Sequence, residues 1–136
     1  MPTGADPLAL DASAYVQAYT TTSAGAIAVR ERLDRATVHA PQLLIAEVGS
    51  AARRLTSSGE ISAKRGFALI EGAAEIVDQE HPHRSLARLA WTLRSNVSFY
   101  DGLYVALAAT LGVPLLTGDA RLAAAPGLPC AVEMVA

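Results

Sequence analysis

The chain has 136 residues, 51% of them hydrophobic and 18% charged, with a formal net charge of −2. That balance excludes a disordered chain and a globally basic nucleic-acid binder, and the length suits one domain, 1–136, that needs no disulfide or structural metal to fold. One cysteine, Cys130, cannot form an internal disulfide, which suits a reducing cytosol, and no charged-then-apolar leader or apolar run of membrane length is present.

Residues 1–7, with Pro2, Gly4 and Pro7, read as an irregular lead. Leu8-Ala9-Leu10 is a short buried strand that delivers Asp11 to the start of a helix through Ala12 and Val16. A helix over Ala24–Arg35 follows, capped by Ser23 with its arginines outward, and Thr37 to Ala40 alternates as a second strand. Pro41 suits the first turn of the next helix, which runs to about Ser57. Its apolar positions 44, 48, 51 and 55 share one face, and Glu47 lies on that same stripe. Ser58-Gly59 breaks the chain before a helix over 61–75 with 69, 70 and 73 inward. Ile76-Val77-Asp78 suggests a third strand, His81-Pro82-His83 a loop, and 85–94 a helix. Trp91, with Leu86, Leu89 and Leu93, reads as core or as a self-association face.

The stretch 96–119 organises the rest. Ser98 is a good N-cap with Asp101 three residues later, and 103–111 is almost wholly apolar, the pattern of a helix buried on more than one side. Gly112 ends that helix and Pro114 prevents its restart. Residues 113–116 then form an apolar run of the kind seen in parallel strands covered on both faces, closed by Thr117-Gly118-Asp119. A short helix over Ala120–Ala124, a Pro126-Gly127 loop and a last strand over 131–135 complete the chain. Strands alternating with helices throughout predict an α/β layered fold with a mainly parallel sheet.

In such a sheet, ligands sit beyond the carboxyl ends of the strands, where Asp11 and Asp119 both fall. Asp101 stands at the mouth of the helix feeding the second of those strands, and Glu47 faces inward from another helix. Each has an ordinary alternative: Asp101 in a capping arrangement, Asp119 as a turn residue, Asp11 as a helix cap, Glu47 paired with Arg53 or Arg54. Four converging carboxylates, however, require protons or a cation between them. A carboxylate-only set is a hard-ligand site that suits Mg²⁺ or Mn²⁺ together with waters and substrate phosphate.

L-A-L-D-A-S-A-Y at 8–15, I-A-E-V at 45–48, F-Y-D-G-L-Y-V-A-L-A at 99–108 and L-L-T-G-D at 115–119 resemble the PIN-domain ribonucleases. More narrowly, they resemble the VapC toxins of bacterial type II toxin–antitoxin pairs, over essentially the whole chain. The resemblance implies a single-domain, three-layer α/β/α fold and a Mg²⁺- or Mn²⁺-dependent endoribonuclease. In it Asp11, Asp101 and Asp119 would contact metal, and Glu47 would hold a second metal or orient the attacking water. Ser13 and Thr117 match the hydroxyl positions beside the first and last acids and would orient the carboxylates. It also implies an RNA substrate, a homodimer, and a small antitoxin that wraps the toxin and inserts into the acidic site, for which an arginine would be electrostatically apt. The helices at 41–57 and 61–75 offer stripes for such a partner.

Ten of the eleven basic residues are arginine, Lys64 being the exception. Arg53, Arg54, Arg88, Arg94 and Arg121 are candidates for RNA phosphates, each with a solvated-surface alternative. His39, His81 and His83 lack metal-ligand spacing on a helix and read as loop or surface; Tyr100 and Tyr104 read as packing residues; Cys130 reads as a small buried side chain. A receiver-type phospho-acceptor domain fits poorly, because Asp11 stands without a second acid beside it and Lys64 sits on an exposed-looking helix. The alternatives kept open are a non-catalytic RNA- or protein-binding scaffold of the same fold and a DNA nuclease using the same acids.

Overall fold

A computed structural model describes residues 6–135. Its first strand, β1 (Pro7–Leu10), carries Leu8, Ala9 and Leu10, none of which exposes any surface. Successive strand side chains point to opposite faces, so a run with every residue buried must be covered on both. The partners of β1 are β2 (Thr37–Pro41) on one side and β4 (Leu115–Thr117) on the other, with β3 (Gln79–His81) and β5 (Val132–Met134) outside them. The order β3-β2-β1-β4-β5 is parallel throughout.

Parallel neighbours need crossovers, and helices supply all of them. Between β1 and β2 lie α1 (Ala12–Thr20) and α2 (Ala24–Arg35); between β2 and β3 lie α3 (Leu43–Ser57) and α4 (Ala63–Ile76). A 3₁₀ turn (His83–Ser85), α5 (Ala87–Thr92) and α6 (Phe99–Leu111) lead to β4, and α7 (Ala120–Ala124) to β5. Right-handed crossovers in this strand order put α1–α4 over one face and α5–α7 over the other, giving three layers. The chain leaves β1 toward β2 and later returns on its opposite side as β4, so the sheet's topological switch point lies between β1 and β4.

α6 is the helix its composition predicts. Ser98 Oγ accepts from Asp101 N (3.1 Å), Gly102 through Ala108 are buried, and Gly112 takes the left-handed conformation (φ 67°) that stops the helix. α6 packs on β1, β2 and β4, and burying Leu103 and Leu107 contributes about 1.5–3 kcal/mol each. Gly102 permits its closest approach to α5: a Cβ there would lie 3.1 Å from Ala90 O and 3.3 Å from Ala90 Cα.

Several local expectations are corrected. The third strand is not Ile76-Val77-Asp78; α4 runs through Ile76, and β3 is the polar Gln79–His81. Ile76 and Val77 pack against the core, while β3 lies at the sheet edge and draws its hydrogen bonds from β2, so it needs no apolar pattern. Asp78 joins the two segments, its N donating to Val38 O (2.9 Å) and its Oδ2 accepting from Val38 N (2.7 Å). Pro41 ends β2 instead of opening α3. His81, expected in a loop, stands in β3 with its Nε2 3.1 Å from His39 Nδ1. Leu86 and Leu93 are buried as core; Trp91 stands in solvent, which removes its core reading and leaves that of a self-association face, and Tyr100, expected to pack, is exposed as well. Cys130 is half-buried against the core. Pro2 and Gly4 of the lead lie outside the described residues. Among the described residues no helix is long and apolar enough to cross a membrane.

Candidate active site

Asp11 is the first residue beyond β1 and heads α1, yet its side chain does not cap that helix. Its Oδ2 instead accepts from Ser13 Oγ (2.7 Å) and Thr117 Oγ1 (2.5 Å). Each hydroxyl has one proton to give, and both go to Asp11, so their mutual 3.2 Å approach is a contact and not a further bond. Their lone pairs are used as well. Ser13 Oγ accepts from Gly118 N (2.9 Å), and Thr117 Oγ1 accepts from Asp119 N (3.0 Å). The hydroxyl pair thus ties the end of β1 to the turn after β4 and holds both strand-end acids in one frame. Gly118 lets that turn sit close to α1: a Cβ would come within 2.5 Å of Gln17 Oε1, which would have to swing away, and 3.1 Å of Ser13 O.

Asp119 does cap α7, as its ordinary reading supposed: Oδ1 accepts from Arg121 N (2.9 Å) and Leu122 N (3.4 Å). It nonetheless also faces the cleft, so capping and lining are both served by one carboxylate. Asp101 sits in the first turn of α6 with its backbone N–H, not its carboxylate, engaged by Ser98. Glu47 projects from α3, and its Oε1 accepts from the hydroxyl of the wholly buried Tyr104 (2.6 Å). Among the described residues it forms no ion pair with Arg53 or Arg54.

Asp11, Glu47, Asp101 and Asp119 therefore line one cleft of about 540 Å³ at the switch point, between the ends of β1 and β4 and the faces of α1, α3 and α6. The four acids singled out from sequence are brought together without exception. Burial pushes the Asp11 carboxyl above the ordinary range; the Ser13 and Thr117 hydroxyls work against this, and the charge of Asp119 reinforces it. Glu47 is raised by burial, opposed by the Tyr104 bond, and raised further by Asp11 and Asp101. Asp101 is raised by burial, then by Asp11 and Asp119, with Ser98 and Arg121 opposing. In each case desolvation leads and a neighbouring carboxylate adds to it, so the cleft is short of positive charge.

Among the described residues no three Asp, Glu, His or Cys side chains close around a common point that would hold an ion by themselves. The donor set still fits Mg²⁺ or Mn²⁺, since such ions take one or two carboxylates and complete their shell with waters and substrate phosphate. The buried, hydroxyl-anchored Asp11 and the neighbouring Asp101 and Asp119 present oxygen ligands only, which is the chemistry these cations prefer.

Further lining residues were less legible. Gln17 and Thr20 extend the cleft along α1 from Ser13 at helical spacing, the one signal that points to them. Arg54, Thr21 and Ser50 also line the cleft, and Arg121 borders a smaller depression shared by Asp101 and Asp119. Arg53, Arg88 and Arg94 do not line either space. Tyr104 packs as expected, but its hydroxyl also anchors Glu47; its position three residues beyond Asp101, on the same side of α6, was the available hint.

A family profile described as the PIN domain matches residues 8–128. The chain is 49% identical to Ribonuclease VapC1 of Mycobacterium tuberculosis over 131 residues, covering 96% of this chain and 98% of that protein. It is 41% identical to Ribonuclease VapC12 of the same organism over 129 residues, 95% of this chain and 99% of the relative. Among solved structures, VapBC from Salmonella typhimurium bound to DNA superposes with a TM-score of 0.70 at 16% identity, covering 96% of this chain and 99% of that one. PAE2754 from Pyrobaculum aerophilum gives 0.67 at 20% identity, with 96% and 87% covered; at these identities the likeness is one of fold.

Proposed function

The chain belongs to the PIN-domain family, and from that premise we propose that it is a metal-dependent endoribonuclease, a VapC-like toxin held in check by a cognate antitoxin. The observation that carries the reading is the convergence of four carboxylates from four separate elements on one cleft, three of them held above their ordinary pKa by burial and mutual repulsion. Such a cleft repels a phosphodiester unless a cation lies between them.

Asp11, Asp101 and Asp119 would hold Mg²⁺ or Mn²⁺, directly or through water. When bound, the cation supplies Lewis acidity and neutralises charge on the phosphate. Ser13 and Thr117 fix the Asp11 carboxylate, so that its orientation is set before substrate arrives. Glu47, anchored at one oxygen by Tyr104, is placed to orient a water and take its proton as the water oxygen bonds to phosphorus and a phosphodiester oxygen leaves. Arg54, which also lines the cleft, would receive a neighbouring phosphate of the strand. An antitoxin arginine entering the cleft would meet all four carboxylates and displace the cation, which is a sufficient electrostatic basis for inhibition. The working form proposed is a homodimer in the cytoplasm.

The deciding experiment is cleavage of total RNA with Mg²⁺ or Mn²⁺ by antitoxin-free wild type and by Asp101→Asn, with an EDTA control. Discrete fragments that require the cation and disappear in Asp101→Asn are expected. Equal cutting by both proteins would remove Asp101 from the site, and no cutting under any condition would favour a binding scaffold.

A further inference from the structure

The α5–α6 edge has the composition of a protein interface. Residues 81–100 contain Arg84, Arg88 and Arg94 and no aspartate, glutamate or lysine. All three arginines are exposed, and none enters an ion pair among the described residues. The same stretch exposes three aromatic rings: Trp91 is 60%, Phe99 42% and Tyr100 62% solvent-accessible. Arg88, Trp91 and Arg94 follow one another at three-residue intervals along α5 and the turn after it, and the Arg94 guanidinium lies over the Trp91 ring, 4.7 Å from its centroid. Aromatic rings and arginines, with lysine and the carboxylates depleted, are what the buried centres of protein interfaces hold.

Two features point to a second copy of this chain as the occupant. The first is area. The exposed parts of the three rings amount to roughly 300–400 Å² per copy, close to half of the ~800 Å² per partner that a stable interface covers, before the arginines are counted. The second is charge. Under a two-fold axis the same surface meets itself, so the arginines of one copy must find acids on that same surface of the other. Those acids are present. The backbone of Ala90 is close enough to Gly102 that a Cβ there would sit 3.1 Å from Ala90 O, so Trp91 and Asp101, each next in chain to one of these residues, stand on adjoining turns. Asp101 and Asp119 also line a depression of about 220 Å³ together with Asn96, Val97 and Ser98 of the link between α5 and α6. One edge thus carries rings, unpaired arginines and a mouth of carboxylates, which is what a self-complementary surface requires.

We infer that the chain pairs through Trp91, Phe99 and Tyr100 about a two-fold axis, and that Arg88 of each copy reaches the mouth of the other copy's cleft beside Asp101 and Asp119. Each cleft is then incomplete without the second chain. The inference rests on the nuclease reading above and adds to it a residue supplied in trans. Arg88 brings positive charge to a cleft that is short of it and gives the RNA phosphate at the rim a bidentate contact. Arg94 is held over the Trp91 ring of its own copy and Arg84 sits in the 3₁₀ turn before α5, which leaves Arg88 as the arginine to cross.

Trp91 is the sole tryptophan of the chain, so its emission reports this edge alone. On dilution of the metal-free protein from micromolar concentration, sedimentation should show dimer giving way to monomer, and Trp91 emission should move to the red over the same range. Trp91→Glu, at an exposed position, should stay folded by circular dichroism and sediment as monomer throughout. Arg88→Gln should weaken the dimer about tenfold, but much less in an Asp101→Asn background, because the two side chains face each other. For cleavage, a heterodimer of Asp11→Asn and Arg88→Gln chains is isolated through two different tags. One of its clefts has all its acids and the partner copy's arginine, so it should show about half the wild-type activity, while each homodimer falls about tenfold or more below wild type. A heterodimer no better than the mean of the two homodimers would place Arg88 in cis and overturn the proposal. So would a wild type that remains monomeric, a dimer that forms without a shift in Trp91 emission, or equal losses from Arg88→Gln in both backgrounds. Emission that responds only to added RNA or antitoxin would give the edge to that partner and overturn it too. If wild type cuts no RNA the nuclease reading fails, and the dimer and its Arg88–Asp101 coupling still stand or fall by sedimentation.

Discussion

The two halves of the acidic cleft are built differently. The strand half, Asp11 and Asp119, stands on turns whose backbone is already committed to the sheet, and two hydroxyls, each donating its proton and accepting a backbone N–H, lock the acids together. The helix half, Glu47 and Asp101, stands on α3 and α6, elements separated by more than forty residues, and among the described residues one side-chain hydrogen bond, Tyr104 to Glu47, spans the gap between them. The strand half is therefore set by the pairing of β1 with β4 and the two turns that follow them. The helix half is set by how two helices settle on the core. Position in the first half tolerates little chemical change, whereas the second depends on one phenol.

The largest expected effect comes from removing charge in the strand half. Asp11→Asn keeps the acceptor for both hydroxyls while losing the anion, so the fold should hold and RNA cleavage should fall by at least about a hundredfold, a loss comparable to that of one electrostatic group in a preorganised site. A variant retaining more than a tenth of wild-type activity would take Asp11 out of the machinery. Next, Thr117→Val deletes a buried hydroxyl while keeping its shape. It strips one charge-assisted bond from Asp11 and the acceptor from Asp119 N, and should cost about 1.5–3 kcal/mol in urea unfolding as well as activity. Loss of activity with unchanged stability would show that the hydroxyl serves orientation alone.

Tyr104→Phe tests the helix half and should be milder in stability, about 1 kcal/mol, because Glu47 is only half-buried and can recruit water. Its mark should be kinetic: a lower kcat with KM little changed, since the phenol touches no substrate. A fall in stability as large as that of Thr117→Val would mean that the two halves are equally preformed.

The smallest effect is a titration. Burial holds the folded pKa of Asp11, Glu47 and Asp101 above the value near 4 that carboxyls have in an unfolded chain. Their ionised forms are thus less favourable folded than unfolded. They subtract stability in full once the pH exceeds the folded pKa, and the subtraction fades as the pH falls toward about 4. Metal-free Glu47→Gln should accordingly melt slightly higher than wild type at neutral pH, with the advantage shrinking on acidification. Adding Mg²⁺ or Mn²⁺ should raise the Tm of wild type and raise that of Asp101→Asn less. An advantage of Glu47→Gln that grew on acidification would contradict the direction of these shifts.

Much of this molecule is written in short-range signals. The limits of α6 follow from Ser98, Gly112 and Pro114, because capping and left-handed termination are decided within one turn of the chain. The strand β1 and its exit acid follow from four consecutive residues, and the α/β alternation places both strand-end acids at one edge of a parallel sheet. Signals that fail are those whose cause lies elsewhere in the chain. Gln79–His81 has no strand pattern of its own and is a strand because β2 supplies its hydrogen bonds. Trp91 looks like core by composition and stands outside because Leu86, Ala90 and Leu93 already fill the side of α5 that meets α6.

By itself the sequence determined the family, the order of elements and the four carboxylates, since periodicity, caps and the acids' places at element ends are local properties. Only the tertiary structure decided that Tyr104 holds Glu47 and that Thr117 joins Ser13 on one oxygen of Asp11. Each of these joins residues remote in sequence, and such contacts exist only after the core has closed and fixed the distance between them.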